Sequence, residues 1–354
     1  MQRLVVVEAS GRAFVDALQR AWDDGDAVLP LDPRLPAPAR ASVLAAARPD
    51  EPVQGDDALV VATSGTDGEP KAVVLTHAAI AASAAATSAR LGIDPATDRW
   101  LACLPLAHVG GLSVVTRALH TGMPLTVHDG FDPAAVDGAA DDGCTRTSLV
   151  PTALARVDAT RWRTVLLGGQ APPPDRPANV VATYGMTETG SGVVYDGTPL
   201  DGVEVRVDDG ELLLRGPMLL RGYRDGHDPR RPDGWFPTGD LGSFVDGVVH
   251  VDGRRGDLVI TGGENVWPAV VERVLAAHPG VREVAVVGRA DPEWGQRVVA
   301  VVVPTDPASP PTLADLRAHA KEQLPAYAAP TGLDLVTALP RTPSGKVRRR
   351  DLTA

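Results

Sequence analysis

A chain of 354 residues is longer than one hydrophobic core usually serves, so its length predicts a large domain and a smaller one. Its formal net charge of −11 argues against nucleic acid or an anionic membrane surface as the main partner. Cys103 and Cys144 lack metal-ligand spacing, no apolar run is as long as a membrane span, and the start turns polar too soon for a signal peptide, so we expect a cytoplasmic protein.

Short β-rich runs alternate with helical stretches in the first half of the chain and predict an α/β domain. The strand-like runs are ALVVAT from Ala58, WLACLP from Trp100, PLTVH from Pro124, TVLLG from Thr164 and NVVATYG from Asn179. The alanine-rich segment Ala78–Arg90 reads as a helix. We interpret the Pro/Ala-rich stretch Pro30–Arg48 as a surface linker.

The pattern changes from Val203 onward, where short strands separated by Asp/Gly turns predict a compact β-module packed on the α/β part. After Arg254 the sequence predicts a small α+β domain. Its strands are Leu258–Ile260, Val284–Gly288 and Val298–Val303, and its helices begin at Pro268 and at the N-cap candidate Thr312. We therefore predict an N-terminal domain over 1–255 and a C-terminal domain over 256–354, with a hinge near 254–257.

The segment TSGTDGEPK, Thr63 to Lys71, is rich in Ser, Thr and Gly and lies between two strand-like runs. Glycine lets the backbone approach phosphate oxygens, hydroxyl groups add donors, and Lys71 offsets negative charge, so the segment fits a polyphosphate. It is not a Walker loop, because Ala72 rather than Ser or Thr follows the lysine and a strand comes next. The alternative interpretation is a polar hairpin turn.

Further motifs follow this segment in a fixed order. They are Pro105-Leu-Ala-His108, Gly168-Gly-Gln170, Tyr184-Gly-Met-Thr-Glu188, Thr238-Gly-Asp240, Gly253-Arg254, Gly262-Gly-Glu-Asn265 and Pro343-Ser-Gly-Lys346. In this series the chain resembles the adenylate-forming superfamily of acyl-CoA ligases, adenylation domains and luciferases, from about Gly25 to its C-terminus. The resemblance implies a large N-terminal adenylate-forming domain, a small mobile C-terminal domain, and ATP, Mg²⁺ and CoA as cofactors and co-substrate.

The resemblance also implies roles for single residues. Glu188 corresponds to a Mg²⁺ ligand, and Asp240, which we place in a turn, would accept the ribose hydroxyls beside Arg254. The implied ATP-binding set is Thr63, Ser64, Gly65, Thr66, Lys71, Gly168, Gly169, Gln170, Tyr184, Gly185, Thr187, Asp240 and Arg254. From the residues alone, a lone glutamate after YGMT is more often solvated, and the aspartate could merely cap a loop.

By the same resemblance His108 positions the acid, and Lys346 bridges the acyl carboxylate and the α-phosphate. Gly262, Gly263, Glu264 and Asn265 form a loop on the CoA side, and Gly256 stands in place of the family's usual hinge residue. We interpret Arg348, Arg349 and Arg350 as a solvated basic tail.

Within the superfamily, the opening GDAVLPLDPRLP, Ser148–Thr152 and Val194–Gly202 most resemble the short 2-succinylbenzoate–CoA ligases of menaquinone biosynthesis. The resemblance places the acid pocket at His108, Gly110, Gly111, Ser148 and Thr152, the glycines leaving room for a ring. The second carboxylate of such an acid needs Arg, Ser or Thr partners, which the sequence does not identify. The alternatives are a ligase for another aryl or short-chain acid and a catalytically silent nucleotide-binding homologue. A homodimer stays open.

Overall fold

The computed structural model describes residues 2–64, 70–341 and 347–353, without the side chain of Ser64. The chain forms two compact units. The first comprises Met1–Arg206, Leu213–Pro237 and Val245–Val249, and the second comprises Val207–Leu212, Thr238–Phe244 and His250–Ala354. Within the described ranges, every helix is too short or too polar to cross a lipid bilayer.

The helices and strands are as follows. The first part contains β1 (Leu4–Val7), α1 (Gly11–Asp23), β2 (Ala27–Pro30), α2 (Ala37–Ala47), β3 (Asp57–Ser64), β4 (Pro70–Thr76), α3 (His77–Leu91), β5 (Trp100–Ala102), α4 (Val109–Thr121), β6 (Leu125–Val127), α5 (Pro133–Asp141), β7 (Arg146–Leu149), α6 (Pro151–Leu154), β8 (Thr164–Leu167), β9 (Val180–Gly185), β10 (Gly192–Tyr195) and β11 (Thr198–Pro199). The rest contains β12 (Glu204–Asp208), β13 (Glu211–Arg215), β14 (Gly222–Tyr223), β15 (Phe236–Val245), β16 (Val248–Arg254), β17 (Val259–Thr261), β18 (Glu264–Val266), α7 (Pro268–Ala276), β19 (Val281–Asp291), β20 (Gly295–Pro304), α8 (Leu313–Lys321) and β21 (Gly332–Leu335).

A seven-stranded sheet of the first unit has the order β11-β10-β9-β8-β7-β5-β6. Its strands β6, β5, β7, β8 and β9 pair in parallel, as in the registers Trp100↔Arg146 and Leu167↔Ala182. Parallel strands place their carboxyl ends at one edge of a sheet, where α/β proteins bind their ligands. The segments that follow these strands are therefore neighbours in space.

A five-stranded sheet of the same unit has the order β1-β2-β3-β4-β14. Strands β3 and β4 form an antiparallel hairpin, and the two residues of β14 pair with β4 in the register Tyr223↔Val73. This pairing brings the chain at Gly222–Tyr223 beside the strand that leaves the Ser/Thr/Gly-rich segment.

The structure confirms the predicted strands and helices of both parts, with ends that differ by a few residues. The interpretation of Pro30–Arg48 as a linker is wrong, because α2 occupies Ala37–Ala47 and Ala47 is buried in the core beside Val43 and Leu44. Proline is compatible with the first turn of a helix, where its missing N–H is no loss, and alanine favours helix thereafter.

The second unit contains the sheet β18-β17-β20-β19, with β21 paired to β20, and the helices α7 and α8. Thr312 caps α8 as predicted, since its side chain accepts from the backbone N–H of Asp315. The apolar side chains between this sheet and the helices, among them Val271, Leu275 and Leu316, form a core of their own. Strands β12, β13, β15 and β16 form a further sheet in that order, as the pattern after Val203 predicts.

One buried ion pair fixes the start of β7 against the turn before β5. Arg146 donates to Asp98 at 3.0 Å, and the two side chains are 4% and 0% exposed. Burial raises the pKa of Asp98, but hydrogen bonds from Arg146 and Thr145 outweigh it and hold that pKa below its usual value.

We predict that Asp98→Ala lowers the free energy of unfolding by about 3–5 kcal/mol, because it leaves the Arg146 guanidinium buried without its carboxylate. The matched control is Asp141→Ala, which removes a carboxylate that is 65% exposed and paired with Arg161. Chemical denaturation of both variants measures the difference. Equal stability of the two variants would contradict the prediction.

Candidate active site

About half of the sequence-predicted site residues lie at the carboxyl edge of the seven-stranded sheet. His108 follows β5, Ser148 and Thr152 lie at and after the end of β7, Gly168–Gln170 follow β8, and Tyr184–Glu188 lie at and after the end of β9. They arrive from segments far apart in the sequence, and the parallel pairing brings them together.

Two glycines, Gly168 and Gly169, follow β8. A Cβ on Gly168 would lie 2.9 Å from the Thr183 hydroxyl oxygen, which itself donates to the Leu167 carbonyl at 3.1 Å. Gly169 has a φ of 87°, in the left-handed region that favours glycine. These two positions need glycine, and the exposed Gln170 follows them. Their role in ATP binding stays a prediction.

Glu188 lies in a short 3₁₀ turn, Thr187–Thr189, directly after β9. Its main-chain carbonyl accepts from the Leu220 N–H at 2.7 Å, and its carboxylate Oε1 accepts from the Tyr223 hydroxyl at 3.0 Å. Both contacts come from the segment that carries β14. Glu188 is therefore held at its main chain and at its carboxylate by a segment more than thirty residues away.

The Ser/Thr/Gly-rich segment spans the β3–β4 hairpin. Thr63 and Lys71 are directly opposite each other on the two strands, while Gly65 and Thr66 lie outside the described residues. The ammonium Nζ of Lys71 lies 5.4 Å from the centre of the Tyr223 ring. Strands β3 and β4 pair up to Ser64 and Pro70, and β4 carries Lys71 to the same tyrosine that contacts Glu188. The residues between the two strands lie outside the described residues, so both interpretations of this segment stay predictions.

His108 is the N-cap residue of α4, and its carbonyl accepts from the N–H groups of Gly111 and Leu112. A Cβ on Gly111 would lie 2.4 Å from the carbonyl oxygen of Leu104 and 2.7 Å from that of Pro105. At Gly110 a Cβ would meet only a Leu104 methyl group, at 3.6 Å. Gly111 thus has a backbone-packing reason to be glycine, and its predicted role of leaving room for a ring stays untested.

Arg117, on the buried face of α4, is a residue that the sequence reasoning missed. Its side chain is 2% exposed, donates to the Ser191 hydroxyl at 3.1 Å and stacks over the Trp100 ring at 4.8 Å. Its Nε and Nη1 atoms are buried and have no hydrogen-bond partner among the described residues. Burial holds the pKa of Arg117 below its usual value, and the nearby Tyr195 offsets only part of that lowering. The signal was a charged residue within the otherwise uncharged run GLSVVTRAL.

Arg117 also lines a narrow cleft between α3, α4 and the 187–191 turn. The polar lining residues are Ser83, Ser113, Thr116 and Arg117, and the rest of the wall is aliphatic. Because Ser191 comes three residues after Glu188, the guanidinium lies close to the turn that presents that carboxylate. The cleft has a cavity volume of about 10 Å³, which is room for about one water molecule, so an anionic group reaches the guanidinium only if the cleft opens.

In the second unit, Asp240 pairs with Arg254, with 2.8 Å between Arg254 Nε and Asp240 Oδ1. The prediction that Asp240 lies in a turn is wrong, because it belongs to β15 and its N–H donates to the Thr238 hydroxyl. Gly239 before it has a φ of 71°, which explains why the sequence resembles a turn there. Ribose binding by Asp240 and Arg254 stays a prediction.

Gly262 and Gly263 form the two-residue turn between β17 and β18, with φ angles of 58° and 84°. Positive φ at both positions is typical of the tight hairpin turns that glycine favours. Glu264 and Asn265 belong to β18, opposite Thr261 and Ile260, rather than to an irregular loop. The role of these four residues on the CoA side is not tested by this geometry.

Gly256 lies in the short turn Arg255–Asp257, and a Cβ there would meet nothing within 4 Å. Its neighbours are anchored: Arg255 pairs with Asp209 at 3.6 Å, and Asp257 pairs with Arg349 at 3.2 Å. The interpretation of Arg349 as a solvated tail residue is wrong, because it also pairs with Glu272 at 2.7 Å. Lys346 lies outside the described residues.

Comparisons with known proteins agree with this arrangement. Residues 4–224 match the family described as AMP-binding enzyme, and residues 270–346 match the AMP-binding enzyme C-terminal domain. A Mycobacterium tuberculosis protein named "Probable 2-succinylbenzoate–CoA ligase" is 41% identical over 380 residues, covering 99% of this chain and 97% of that protein. These findings confirm the superfamily resemblance.

Solved structures of the same family match this chain over nearly its whole length. The o-succinylbenzoate CoA synthetase (MenE) from Bacillus subtilis, in complex with the acyl-adenylate intermediate OSB-AMP, matches with a TM-score of 0.89 and 28% identity, covering 99% of this chain and 88% of that chain. The same enzyme in complex with ATP and a magnesium ion has a TM-score of 0.88 at 28% identity, covering 99% and 89%. The α/β fold with a large N-terminal and a small C-terminal domain is thereby confirmed.

We predict that Gly111→Ala destabilises the protein by about 1–3 kcal/mol or more, because the added methyl group overlaps two carbonyl oxygens. Gly110→Ala is the matched control, since its methyl group meets one flexible side chain. Thermal unfolding of both variants measures the effect. A Gly111→Ala protein as stable as Gly110→Ala would show that the helix start can shift freely.

Proposed function

Because the chain belongs to the family of AMP-binding enzymes, we propose that it is an ATP-dependent ligase that joins 2-succinylbenzoate to coenzyme A. In the first step a carboxylate oxygen of the acid attacks the α-phosphorus of ATP, and the bond to the β-phosphate breaks to release pyrophosphate. In the second step the CoA thiol loses its proton, its sulfur attacks the acyl carbonyl, and AMP leaves. The similarity to enzymes named for this acid, and to one bound to OSB-AMP, supports the proposal.

Among the described residues, the unpaired donor atoms of the buried Arg117 side chain favour an acid with a second anionic group. A buried guanidinium with two unused donor atoms is costly unless a ligand completes its hydrogen bonds. If the cleft opens, a succinyl carboxylate would accept from those atoms, with Ser113 and Thr116 as further polar neighbours. A monocarboxylic acid such as benzoate would leave them unused.

Glu188 fits the metal that this reaction class uses. Among the described residues there is no group of three or more His, Cys, Asp or Glu side chains able to hold a metal ion. Mg²⁺ is commonly bound by one or two carboxylates together with substrate phosphates and water, so a single glutamate beside a polyphosphate is enough. When bound, the ion neutralises phosphate charge. Glu188 would hold it, and Lys71 would offset further charge.

The remaining roles follow the sequence reasoning. His108, at the start of α4, would position the reacting carboxylate, and Asp240 with Arg254 would hold the ribose. Lys346 would stabilise the charge that develops between carboxylate and α-phosphate, and Gly262–Asn265 would face CoA. We place the domains at 1–255 and 256–354, with rotation at Gly256, whose position leaves room for large dihedral changes.

Arg117→Met tests the acid specificity. We expect kcat/KM for 2-succinylbenzoate to fall about 10- to 100-fold, because hydrogen bonds to a charged group are lost, while benzoate changes little. The melting temperature should stay equal or rise, since Arg117 has no carboxylate partner among the described residues. Arg146→Met is the control: it leaves Asp98 buried and should lower the melting temperature. Equal losses on both acids would exclude the assigned role.

Lys346→Ala tests the two half-reactions separately. We expect acid-dependent exchange of pyrophosphate with ATP to be lost, while thioester formation from supplied acyl-adenylate continues. The reason is that Lys346 is assigned to the first transition state alone. The exposed Lys321→Ala controls for the loss of a lysine. Similar losses in both half-reactions would mean that Lys346 serves both.

A further inference from the structure

Tyr223 contacts both charged residues that the proposed function assigns to the metal and phosphates. Its hydroxyl donates to Glu188 Oε1 at 3.0 Å, and the Lys71 ammonium lies 5.4 Å from the centre of its ring. The ring also stacks on His227, with the two planes 8° apart. One side chain therefore contacts a carboxylate through its polar end and an ammonium through its π face.

The strand that carries Tyr223 is firmly anchored. Arg221 forms a bidentate pair with the buried carboxylate of Asp57, at 2.7 and 3.0 Å. Arg224 donates to four backbone carbonyls, those of Ala47, Arg48, Glu51 and Pro52. With β14 also paired to β4, the tyrosine is set in place from both sides before any ligand binds.

The position of Tyr223 bears on the attraction between the opposite charges of Lys71 and Glu188. Lys71 and Glu188 carry opposite charges and approach the same ring, yet the described side chains form no ion pair between them. A direct ion pair would satisfy the ammonium with the carboxylate and would have to break before either could meet a phosphate or a cation. The tyrosine offers each group a weaker, neutral partner instead.

We propose that Tyr223 is a positioning residue that keeps Lys71 and Glu188 apart and oriented for the nucleotide and its metal ion. Its hydroxyl occupies one oxygen of Glu188 and leaves the other for the cation, while its ring faces the ammonium without neutralising it. This inference rests on the proposed function, since it takes Glu188 as the metal ligand and Lys71 as a phosphate contact.

The experiment separates the hydroxyl from the ring. Tyr223→Phe removes the hydroxyl and keeps the ring, Tyr223→Leu removes both, and Glu188→Gln removes the charge of the carboxylate. Tyr327→Phe, at a side chain that is 43% exposed, is the matched control for loss of a tyrosine hydroxyl. Binding of Mn²⁺ in the presence of ATP and without acid is followed by electron paramagnetic resonance, and binding of metal-free ATP by calorimetry.

We expect Tyr223→Phe to weaken Mn²⁺ binding about three- to tenfold and to leave metal-free ATP binding unchanged, because one hydrogen bond to the carboxylate is lost. Tyr223→Leu should weaken both, since Lys71 can then pair with Glu188. Tyr327→Phe should bind like the unaltered protein. If Tyr223→Leu fails to fold, as thermal unfolding would reveal, the Tyr223→Phe result decides.

The outcomes distinguish this inference from the proposed function. If Glu188→Gln binds Mn²⁺ as well as the unaltered protein, the metal role of Glu188 fails and the inference fails with it. If Glu188→Gln loses Mn²⁺ binding while both Tyr223 variants bind normally, the inference alone is overturned.

Discussion

Parallel pairing of five strands is the constraint on which the site depends. Each parallel connection forces the chain to cross the sheet and return, so every strand from β5 to β9 ends at the same edge. His108, Gly168 and Glu188 have no local reason to be neighbours, and they become neighbours because their strands are in register. The hairpin of β3 and β4 then adds Lys71 from the adjoining sheet, joined through β14.

Buried charge is handled in two contrasting ways in this first unit. Arg146 is neutralised by Asp98 within the fold, and the pair belongs to the structure itself. Arg117 is as deeply buried but receives a hydroxyl and an aromatic face in place of a carboxylate. Among the described residues, one hydrogen bond and one aromatic contact therefore take the place of a counter-ion at Arg117.

The sequence correctly predicted the features that depend on residues close together in the chain. The alternation of strands and helices, the cap at Thr312 and the glycine turn at Gly262–Gly263 follow from side chains near each other in the chain. The linker interpretation of α2 was wrong because the prolines that mark a loop also mark the first turn of a helix. The placement of Asp240 was wrong because a strand there accommodates a glycine with positive φ.

Pairings over long distances in the sequence could not be predicted. Tyr223 with Glu188 and Arg117 with Ser191 are side-chain contacts between segments far apart in the chain, and no spacing within a single segment encodes them. The family motifs predict the reacting groups, but the residues that contact Glu188 and Ser191 lie between the motifs. Only the folded chain reveals them.

The ion pairs of Arg349 join two segments more than ninety residues apart, the turn at Asp257 and the last residues of the chain. Through Glu272 the same guanidinium is also attached to α7. The segment around Arg349 is therefore attached to the rest of the small unit by ion pairs. We expect that unfolding the segment around Arg349 also releases the turn at Asp257, because the ion pair between them breaks. A spectroscopic label on either segment would then report the same unfolding transition.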